Sequence, residues 1–264
     1  MTGDAQLDGR RVVVVGASSG IGRAVAVAAG RRGAKVALAA RRLDLVEDAA
    51  AEIRSSGAEA KAWRCDVTDE AQCTQLVDEA AAWLGGIDLL VYMSGSSPLV
   101  RIEDGTAEIW HRLLSTNLVG ASLVVARALQ HLRRAQHPAV VVTTHSMGMP
   151  WPWLGLYGAS KAGLAELARA LRSEEPGIRV MCVAVGNTAT SFADGWDQAT
   201  ATAALEHWVS EGMLRYRVLQ SSEMADAILA AVQDRTGPDD LLIAGEEGRD
   251  DLLVVDTAAS SDRP

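Results

Sequence analysis

Tyr157 and Lys161 have residue types and a spacing that could support proton transfer. Residues four positions apart lie on one face of a helix, so the lysine ammonium can approach the phenol ring. A free phenol has a pKa of about 10 and is a poor base at neutral pH, but an adjacent cation favours the phenolate and lowers that pKa. Such a phenol can give a proton to a carbonyl oxygen or remove one from an alcohol.

A glycine-rich turn at residues 16–22 stands between an apolar run and a helical pattern. Glycines in this place let the backbone approach a pyrophosphate. The helix that follows offers free N–H groups and the positive end of its dipole. The candidate ligands of a dinucleotide in this turn are Gly16, Ser18, Ser19, Gly20, Ile21 and Gly22.

The end of the second predicted strand indicates which dinucleotide binds. A carboxylate there would bind the ribose 2′-hydroxyl of NAD, but the position is occupied by Ala40, and Arg41 and Arg42 follow. A guanidinium can bind a 2′-phosphate through two parallel hydrogen bonds. The sequence therefore favours NADP(H), with Arg41 as the phosphate ligand; the alternative is that both arginines are solvated charges at a helix start.

Strand-like and helix-like patterns alternate along the chain and must position these residues. The predicted strands are Val12–Val15, Val36–Ala40, Ala60–Cys65, Asp88–Met93, Ala139–Thr144, Arg179–Val185 and Leu241–Ala244. The predicted helices are Gly20–Arg32, Leu43–Ser56, Glu70–Leu84, Thr106–Arg134, Tyr157–Ser173 and Ser222–Gln233. An irregular segment with helical patches is predicted for Asn187–Ser221. This alternation predicts right-handed βαβ units and a doubly wound parallel α/β sheet of the Rossmann type.

Length and composition fit a single domain of this kind. Of the 264 residues, 48% are apolar and only 4% aromatic, so the core must be built mainly from aliphatic side chains. Such side chains suit a parallel sheet that is buried on both faces. We expect the domain to span residues 1–245 and the acidic, polar tail at residues 246–264 to be mobile.

Charge and residue spacing exclude several classes of partner. The formal net charge of −9 argues against nucleic acid, because phosphate binding needs a concentrated positive field. The five histidines show no metal-ligand spacing, and the three cysteines form no C-x-x-C pair, so we expect no metal site and reduced thiols. No apolar stretch approaches the ~20 residues that span a bilayer, and Met1–Arg11 is unlike a signal peptide. We therefore expect a cytoplasmic protein without a membrane partner.

The G-x-x-x-G-x-G turn and the later Tyr157 and Lys161 occur in the order and spacing of the short-chain dehydrogenase/reductase family. The chain resembles this family from Arg11 to about Ala244. The resemblance implies hydride transfer from a nicotinamide, with the tyrosine and lysine in contact with the cofactor. It also implies a homodimer or a homotetramer.

Further site residues follow from the same resemblance. Asp66, with Val67 after it, ends the third predicted strand, and the family's aspartate at this position contacts the adenine ring. Asn117 matches a fourth catalytic residue, which distorts a helix and helps to hold a water beside the lysine.

The sequence departs from the family pattern at two turns. The fourth strand of family members usually ends in Asn-Asn-Ala-Gly, whereas residues 92–95 read Tyr-Met-Ser-Gly, so Gly95 is kept and both asparagines are replaced. After the sixth strand the family's Pro-Gly reads Val-Gly at residues 185–186. Thr188 and Thr190 follow this turn and are candidates for holding the nicotinamide carboxamide and the pyrophosphate.

The hydroxyl that orients the substrate has two candidates. The family's serine stands thirteen residues before the tyrosine, and that position is Thr144 here; Ser146 has the usual residue type but stands eleven before it. A threonine hydroxyl can donate and accept as a serine hydroxyl does. We therefore favour Thr144.

Large apolar side chains precede Tyr157 and recur in the variable segment. They are Met147, Met149, Trp151, Trp153, Phe192, Trp196, Trp208 and Met213. Such side chains suit a bulky apolar carbonyl compound, and they are equally suited to packing between subunits or in the core.

These patterns predict an NADP(H)-dependent oxidoreductase that reduces a ketone or an aldehyde, or oxidises the corresponding alcohol. One alternative is an isomerase or epimerase with the same Tyr/Lys pair, although relatives of that type usually carry a larger substrate domain. The other is a non-catalytic NADP(H)-binding scaffold or sensor, which the altered residues 92–95 and Thr144 suggest.

Overall fold

The structure, a computed structural model, describes residues 7–145, 151–214, 217–245 and 252–256. The described strands are β1 (Arg11–Val15), β2 (Lys35–Ala40), β3 (Ala60–Arg64), β4 (Leu89–Tyr92), β5 (Ala139–Thr144), β6 (Arg179–Val185), β7 (Thr188–Ala189), β8 (Leu219–Gln220), β9 (Asp240–Gly245) and β10 (Leu252–Asp256). The described α-helices are α1 (Gly20–Arg31), α2 (Leu43–Ser55), α3 (Glu70–Leu84), α4 (Ala107–Leu114), α5 (Gly120–Leu132), α6 (Gly155–Glu174), α7 (Gln198–Ser210) and α8 (Ser221–Gln233).

Eight of the strands form one sheet in the order β10-β9-β6-β5-β4-β1-β2-β3. All neighbouring pairs are parallel except β9 and β10, which are antiparallel. β7 and β8 form a separate parallel pair. The predicted doubly wound parallel α/β sheet is confirmed.

The two faces of the sheet are buried by different helices. Along β1, Val12 and Val14 pack into the core beneath α1, α2 and α8, whereas Val13 and Val15 pack into the core beneath α3, α5 and α6. This alternation follows from the period of two in a strand. A sheet covered on both sides requires almost wholly apolar strands, as the sequence indicated.

The strand order reverses between β1 and β4, and this reversal opens a crevice at the carboxyl ends of the strands. Val15 pairs with Ala39 of β2 on one side and with Tyr92 of β4 on the other. Directly after β1, Gly16 has φ +94°, and a Cβ there would lie 2.5 Å from the backbone nitrogen of Ser94. Only glycine allows the two turns to approach each other this closely.

Three segments differ from the sequence-based expectation. The segment expected to be irregular contains the regular helix α7 and the β7–β8 pair. The tail expected to be mobile contains β10, which is hydrogen-bonded to β9 along its whole length. The helix predicted for Thr106–Arg134 consists of α4, a π-helical turn at Ser115–Val119, and α5.

This continuous helix also corrects the expectation about apolar stretches. From Ala107 to Leu132 it is long and apolar enough to match a membrane-spanning helix by length and composition. Such a match is weak evidence, because core helices satisfy the same criteria. In this fold Val124, Ala128 and Leu132 pack against the sheet.

Candidate active site

Tyr157 and Lys161 lie one helical turn apart near the start of α6. The Nζ atom of Lys161 lies 5.9 Å from the centroid of the Tyr157 ring. Lys161 is only 2% exposed, whereas Tyr157 is half-buried. The structure therefore brings the predicted phenol and ammonium together.

Thr143, one residue before the end of β5, holds the ammonium of Lys161. Nζ donates to the backbone oxygen of Thr143 at 2.8 Å and to its Oγ1 at 3.1 Å. A buried ammonium needs such acceptors because it has lost its contacts with water. Sequence reasoning missed Thr143; the available signal was its place beside Thr144 at a strand end.

Burial sets the protonation of the pair. Desolvation raises the pKa of the Tyr157 phenol above its ordinary value and lowers the pKa of Lys161 to about 8. The expectation that the phenol has a lowered pKa is therefore wrong for this structure, because loss of water disfavours the phenolate. At neutral pH the phenol therefore holds its proton and most of the lysine is charged.

Asn117 lies in the π-helical turn and is fully buried. Its Oδ1 accepts from the backbone N–H of Ser96 at 2.7 Å, and its Nδ2 donates to the backbone oxygen of Ser96 and to Ser160 Oγ, each at 2.9 Å. A Cβ added to Gly95 would lie 3.7 Å from this amide oxygen and 3.9 Å from the Nζ of Lys161. Asn117 and Lys161 thus converge on the turn after β4.

Tyr92, the first residue of the altered turn at residues 92–95, contacts the π-helical turn. Tyr92 is fully buried, and its hydroxyl donates to the backbone oxygen of Thr116 at 2.7 Å. A π-helical turn interrupts the regular hydrogen-bond ladder, and this phenol supplies a partner for one of its carbonyls. Tyr92 therefore supports the element that carries Asn117, although neither family asparagine is present.

Thr144, the favoured substrate-orienting residue, is buried at the end of β5. The following His145 packs edge to face on Tyr157, with ring centroids 5.2 Å apart. Burial and the charge of Lys161 lower the pKa of His145 to about 4, so its imidazole is neutral at physiological pH. Sequence reasoning did not identify His145, and the alternative Ser146 lies outside the described residues.

The glycine-rich turn connects β1 to α1 and fits a pyrophosphate. A Cβ on Gly22 would lie 2.2 Å from the backbone oxygen of Gly16, so the turn packs tightly on the helix start. Ser19 is the N-cap residue of α1, but its side chain makes no capping hydrogen bond. The first amides of the helix are therefore left for an anion.

The two arginines after β2 have different surroundings. Arg42 Nη2 donates to Ser18 Oγ at 3.0 Å and to Ser19 Oγ at 3.1 Å. Arg41 is exposed next to Ala40. Both guanidinium groups are close in sequence to the end of β2, and that of Arg42 contacts the glycine-rich turn directly.

Other predicted cofactor residues already have local partners. Asp66 Oδ1 accepts from the backbone N–H and the hydroxyl of Thr68, at 3.0 and 2.8 Å, and Val67 beside it is buried. Thr188 Oγ1 donates to the backbone oxygen of residue 186 at 2.9 Å. The Oγ1 of Thr190 accepts from the backbone N–H of Phe192 at 3.2 Å.

A chain of edge-to-face aromatic contacts extends from Tyr157. Phe192 lies 5.3 Å from the Tyr157 ring, Trp196 lies 5.5 Å from Phe192, and Trp208 lies 6.2 Å from Trp196. Trp151 completes the chain 5.2 Å from Trp208. Met213 and Trp153 belong to the same apolar cluster, whereas Met147 and Met149 lie outside the described residues. These side chains form an apolar wall beside the phenol.

Comparison with known proteins gives consistent matches. Residues 10–201 match the model of a family described as short chain dehydrogenase. The chain is 38% identical over 189 residues to glycine betaine reductase ATRR of Emericella nidulans, a match that covers 70% of this chain and 15% of that protein. It is 34% identical over 233 residues to cis-4-hydroxycyclohexanecarboxylate dehydrogenase of Sinomonas cyclohexanicum, covering 85% and 90% of the two chains. A solved short-chain type dehydrogenase/reductase from Mycobacterium marinum is similar with a TM-score of 0.79 and 29% identity, over 92% of this chain and 96% of that one.

We expect Asn117→Leu to lower the free energy of unfolding by about 1–3 kcal/mol, because it leaves buried partners in Ser96 and Ser160 unsatisfied. Urea unfolding followed by circular dichroism measures this change. In the control Thr116→Val, only the local bond from Oγ1 to the backbone oxygen of Arg112 is lost, and the change should stay below about 0.5 kcal/mol. An Asn117→Leu protein as stable as the unmodified one would contradict the described site.

Proposed function

Because this chain belongs to the short-chain dehydrogenase family, we propose that it is an NADP(H)-dependent oxidoreductase that reduces a ketone or an aldehyde, or oxidises the alcohol. The observation that carries the proposal is that Asn117 and Lys161 both approach the turn after β4, and that Lys161 lies beside the Tyr157 ring. That turn is packed directly against Gly16 of the candidate dinucleotide site. A proton donor and a nicotinamide site would thus share one crevice.

The side chains have distinct roles in this mechanism. A nicotinamide dinucleotide held by the glycine-rich turn would supply the hydride chemistry. Tyr157, whose pKa is raised by burial, holds the proton that passes to the carbonyl oxygen. The ammonium of Lys161 stabilises the phenolate left behind, and the Thr144 hydroxyl orients the oxygen that receives the proton. In the reverse direction the phenolate form of Tyr157, stabilised by the Lys161 ammonium, takes the proton from the alcohol.

The groups around the end of β2 support NADP(H) over NAD(H). Ala40 offers no carboxylate to a ribose 2′-hydroxyl. Arg41, exposed beside it, can bind a 2′-phosphate, and Arg42 orders the two serine hydroxyls of the turn. A charge-assisted contact of this kind contributes about 1.5–3 kcal/mol, which is enough to select between the two dinucleotides.

The apolar wall beside Tyr157 supports a bulky, largely apolar substrate. Its rings are those of Phe192, Trp196, Trp208 and Trp151. The name of the Sinomonas cyclohexanicum relative describes a secondary alcohol on a saturated ring that also carries a carboxylate. We therefore place alicyclic ketones and their alcohols first among the candidate substrates.

The α5–α6 face supports assembly into a homodimer or a homotetramer. Val119 is 48% exposed. It lines a shallow, mainly apolar groove together with Leu118, Leu123, Leu167, Ala170 and the charged Glu166. An exposed apolar surface of this kind is typical of interfaces between subunits. A second copy of the chain is the proposed occupant.

For the cofactor, we expect NADP+ to bind about ten- to a hundredfold more tightly than NAD+, on the scale of one charge-assisted contact. Arg41→Ala should remove most of this preference, whereas Arg42→Ala should weaken both dinucleotides because it frees the serines of the turn. Titration calorimetry with each dinucleotide measures the affinities. Arg54→Ala, on the exposed side of α2, is the control and should leave the ratio unchanged; equal affinities in the unmodified protein would refute the preference.

For the proton donor, we expect Tyr157→Phe to reduce turnover by about 10²- to 10⁴-fold, the usual contribution of a general acid, while the affinity for NADP+ changes little. The assay follows NADPH absorbance with a panel of alicyclic and aromatic ketones. Near-normal rates in this variant would overturn the mechanism. Tight NADP+ binding without turnover across the whole panel would instead favour the non-catalytic scaffold.

For the assembly, we expect light scattering after size-exclusion chromatography to give twice or four times the monomer mass. The double variant Val119→Glu/Leu167→Glu should dissociate to monomers, because it places charges on the proposed interface. Leu205→Glu is the matched control, since Leu205 of α7 is equally exposed at 50%. A monomeric unmodified protein would contradict the proposal.

A further inference from the structure

A short 3₁₀ helix at Ser191–Ala193 touches the glycine-rich turn at its first residue. Ser191 Oγ lies 2.9 Å from Ser19 Oγ, within hydrogen-bond distance. The preceding Thr190 packs on the same turn, because a Cβ on Gly20 would lie 3.3 Å from its side chain. This helix therefore rests on the start of α1, where the pyrophosphate is expected.

The second residue of the same helix touches the catalytic side chain. Phe192 packs edge to face on Tyr157 at 5.3 Å and on Trp196 at 5.5 Å. The ring of Tyr157 also contacts His145, with the two ring centroids 5.2 Å apart. The Tyr157 ring thus contacts His145, directly after β5, and Phe192, in the segment that rests on the glycine-rich turn.

Burial alone does not fix Phe192 in this position. The residue is 43% exposed and is not part of the buried aromatic cluster around Trp208. A ring with 43% of its surface exposed gains only part of the stabilisation that full burial gives. The position of Phe192 depends on the short helix that carries it. The backbone N–H of Phe192 donates to Thr190 Oγ1, and Ser191 attaches the helix to the glycine-rich turn through Ser19.

We propose that Ser191 and Phe192 are positioning residues. They couple binding of a dinucleotide at the glycine-rich turn to the position of the Tyr157 ring. The proposal rests on the proposed function, because it takes the turn as the pyrophosphate site. Phosphate oxygens accept hydrogen bonds strongly, so a bound pyrophosphate competes for the Ser19 hydroxyl that now faces Ser191. A change of partner at Ser191 moves the adjacent Phe192 and so alters the contact on the phenol.

This coupling makes binding of the dinucleotide and of the carbonyl substrate interdependent. Two ligands whose sites bias one element change each other's affinity reciprocally, commonly by about five- to 150-fold. The chain of contacts is short: Arg42 and Ser191 both contact Ser19, and Phe192 then contacts Tyr157. The coupling element is thus a three-residue helix rather than a domain.

Fluorine NMR of protein labelled with fluorotryptophan tests the proposal without a known substrate. The Trp196 resonance, assigned by its loss in Trp196→Phe, reports on Phe192 at 5.5 Å. Trp83, at the end of α3 and packed under Lys35, is the internal reference. We expect saturating NADP+ to shift the Trp196 resonance and to leave that of Trp83 in place.

Variants separate the coupling from simple dinucleotide binding. Ser191→Ala should abolish most of the Trp196 shift while weakening NADP+ by only about two- to tenfold, the effect of one neutral hydrogen bond. Ser191→Thr keeps the hydroxyl and should retain the shift. Ser221→Ala is the matched control, because its hydroxyl bonds to Ala189 of β7 in the same region without touching the turn.

Two results would overturn the coupling. One is a Trp196 resonance that does not move in the unmodified protein at saturating NADP+; the other is a shift of equal size in Ser191→Ala. Calorimetry on the same samples shows whether the dinucleotide is bound. If neither NADP+ nor NAD+ binds, the proposed function fails and the coupling fails with it, a result distinct from binding without a shift.

Discussion

The buried ammonium of Lys161 constrains the surrounding site more than any other group. A cation at 2% exposure loses water on every side, and the two acceptors of Thr143 replace only part of that hydration. The end of β5 must therefore stay close enough to the start of α6 for Thr143 to accept hydrogen bonds from Lys161. The remaining side of the ammonium faces the turn after β4, where Asn117 fixes the backbone of Ser96. Because this hydration is only partly replaced, the charged form is disfavoured and the pKa of Lys161 is lowered.

Close backbone approach places the two halves of the site side by side. The turn after β1 and the turn after β4 meet where the strand order reverses, and Gly16 leaves no room for a side chain between them. One turn leads to the dinucleotide site and the other to Lys161 and Asn117, so the proton donor and the cofactor site lie next to each other. The Tyr92 hydroxyl supports the π-helical turn that carries Asn117, through its hydrogen bond to the backbone oxygen of Thr116.

Features that depend on local periodicity and short motifs could be predicted from the sequence. Apolar runs, the glycine-rich turn and the four-residue spacing of Tyr157 and Lys161 predicted the sheet and the pair. The family resemblance of Asn117 implied a distorted helix, but no local pattern predicted the π-helical turn, because it depends on tertiary hydrogen bonds to Asn117 and from Tyr92. The direction of the Tyr157 pKa shift depends on burial, which no local pattern reports. The contact between Ser19 and Ser191 joins residues far apart in the chain.

The antiparallel strand β10 has a consequence for the behaviour of the protein at high concentration. Open edges of sheets recruit strands from other molecules, and valine-rich strands such as β1 and β5 are the kind of segment that seeds fibrils. Here β10 covers the edge of β9, while the opposite edge, β3, exposes the charged residues Lys61 and Arg64. The valine-rich strands β1 and β5 lie inside the sheet, and β10, whose Val254 is half-exposed, is the edge that other chains could reach on its side.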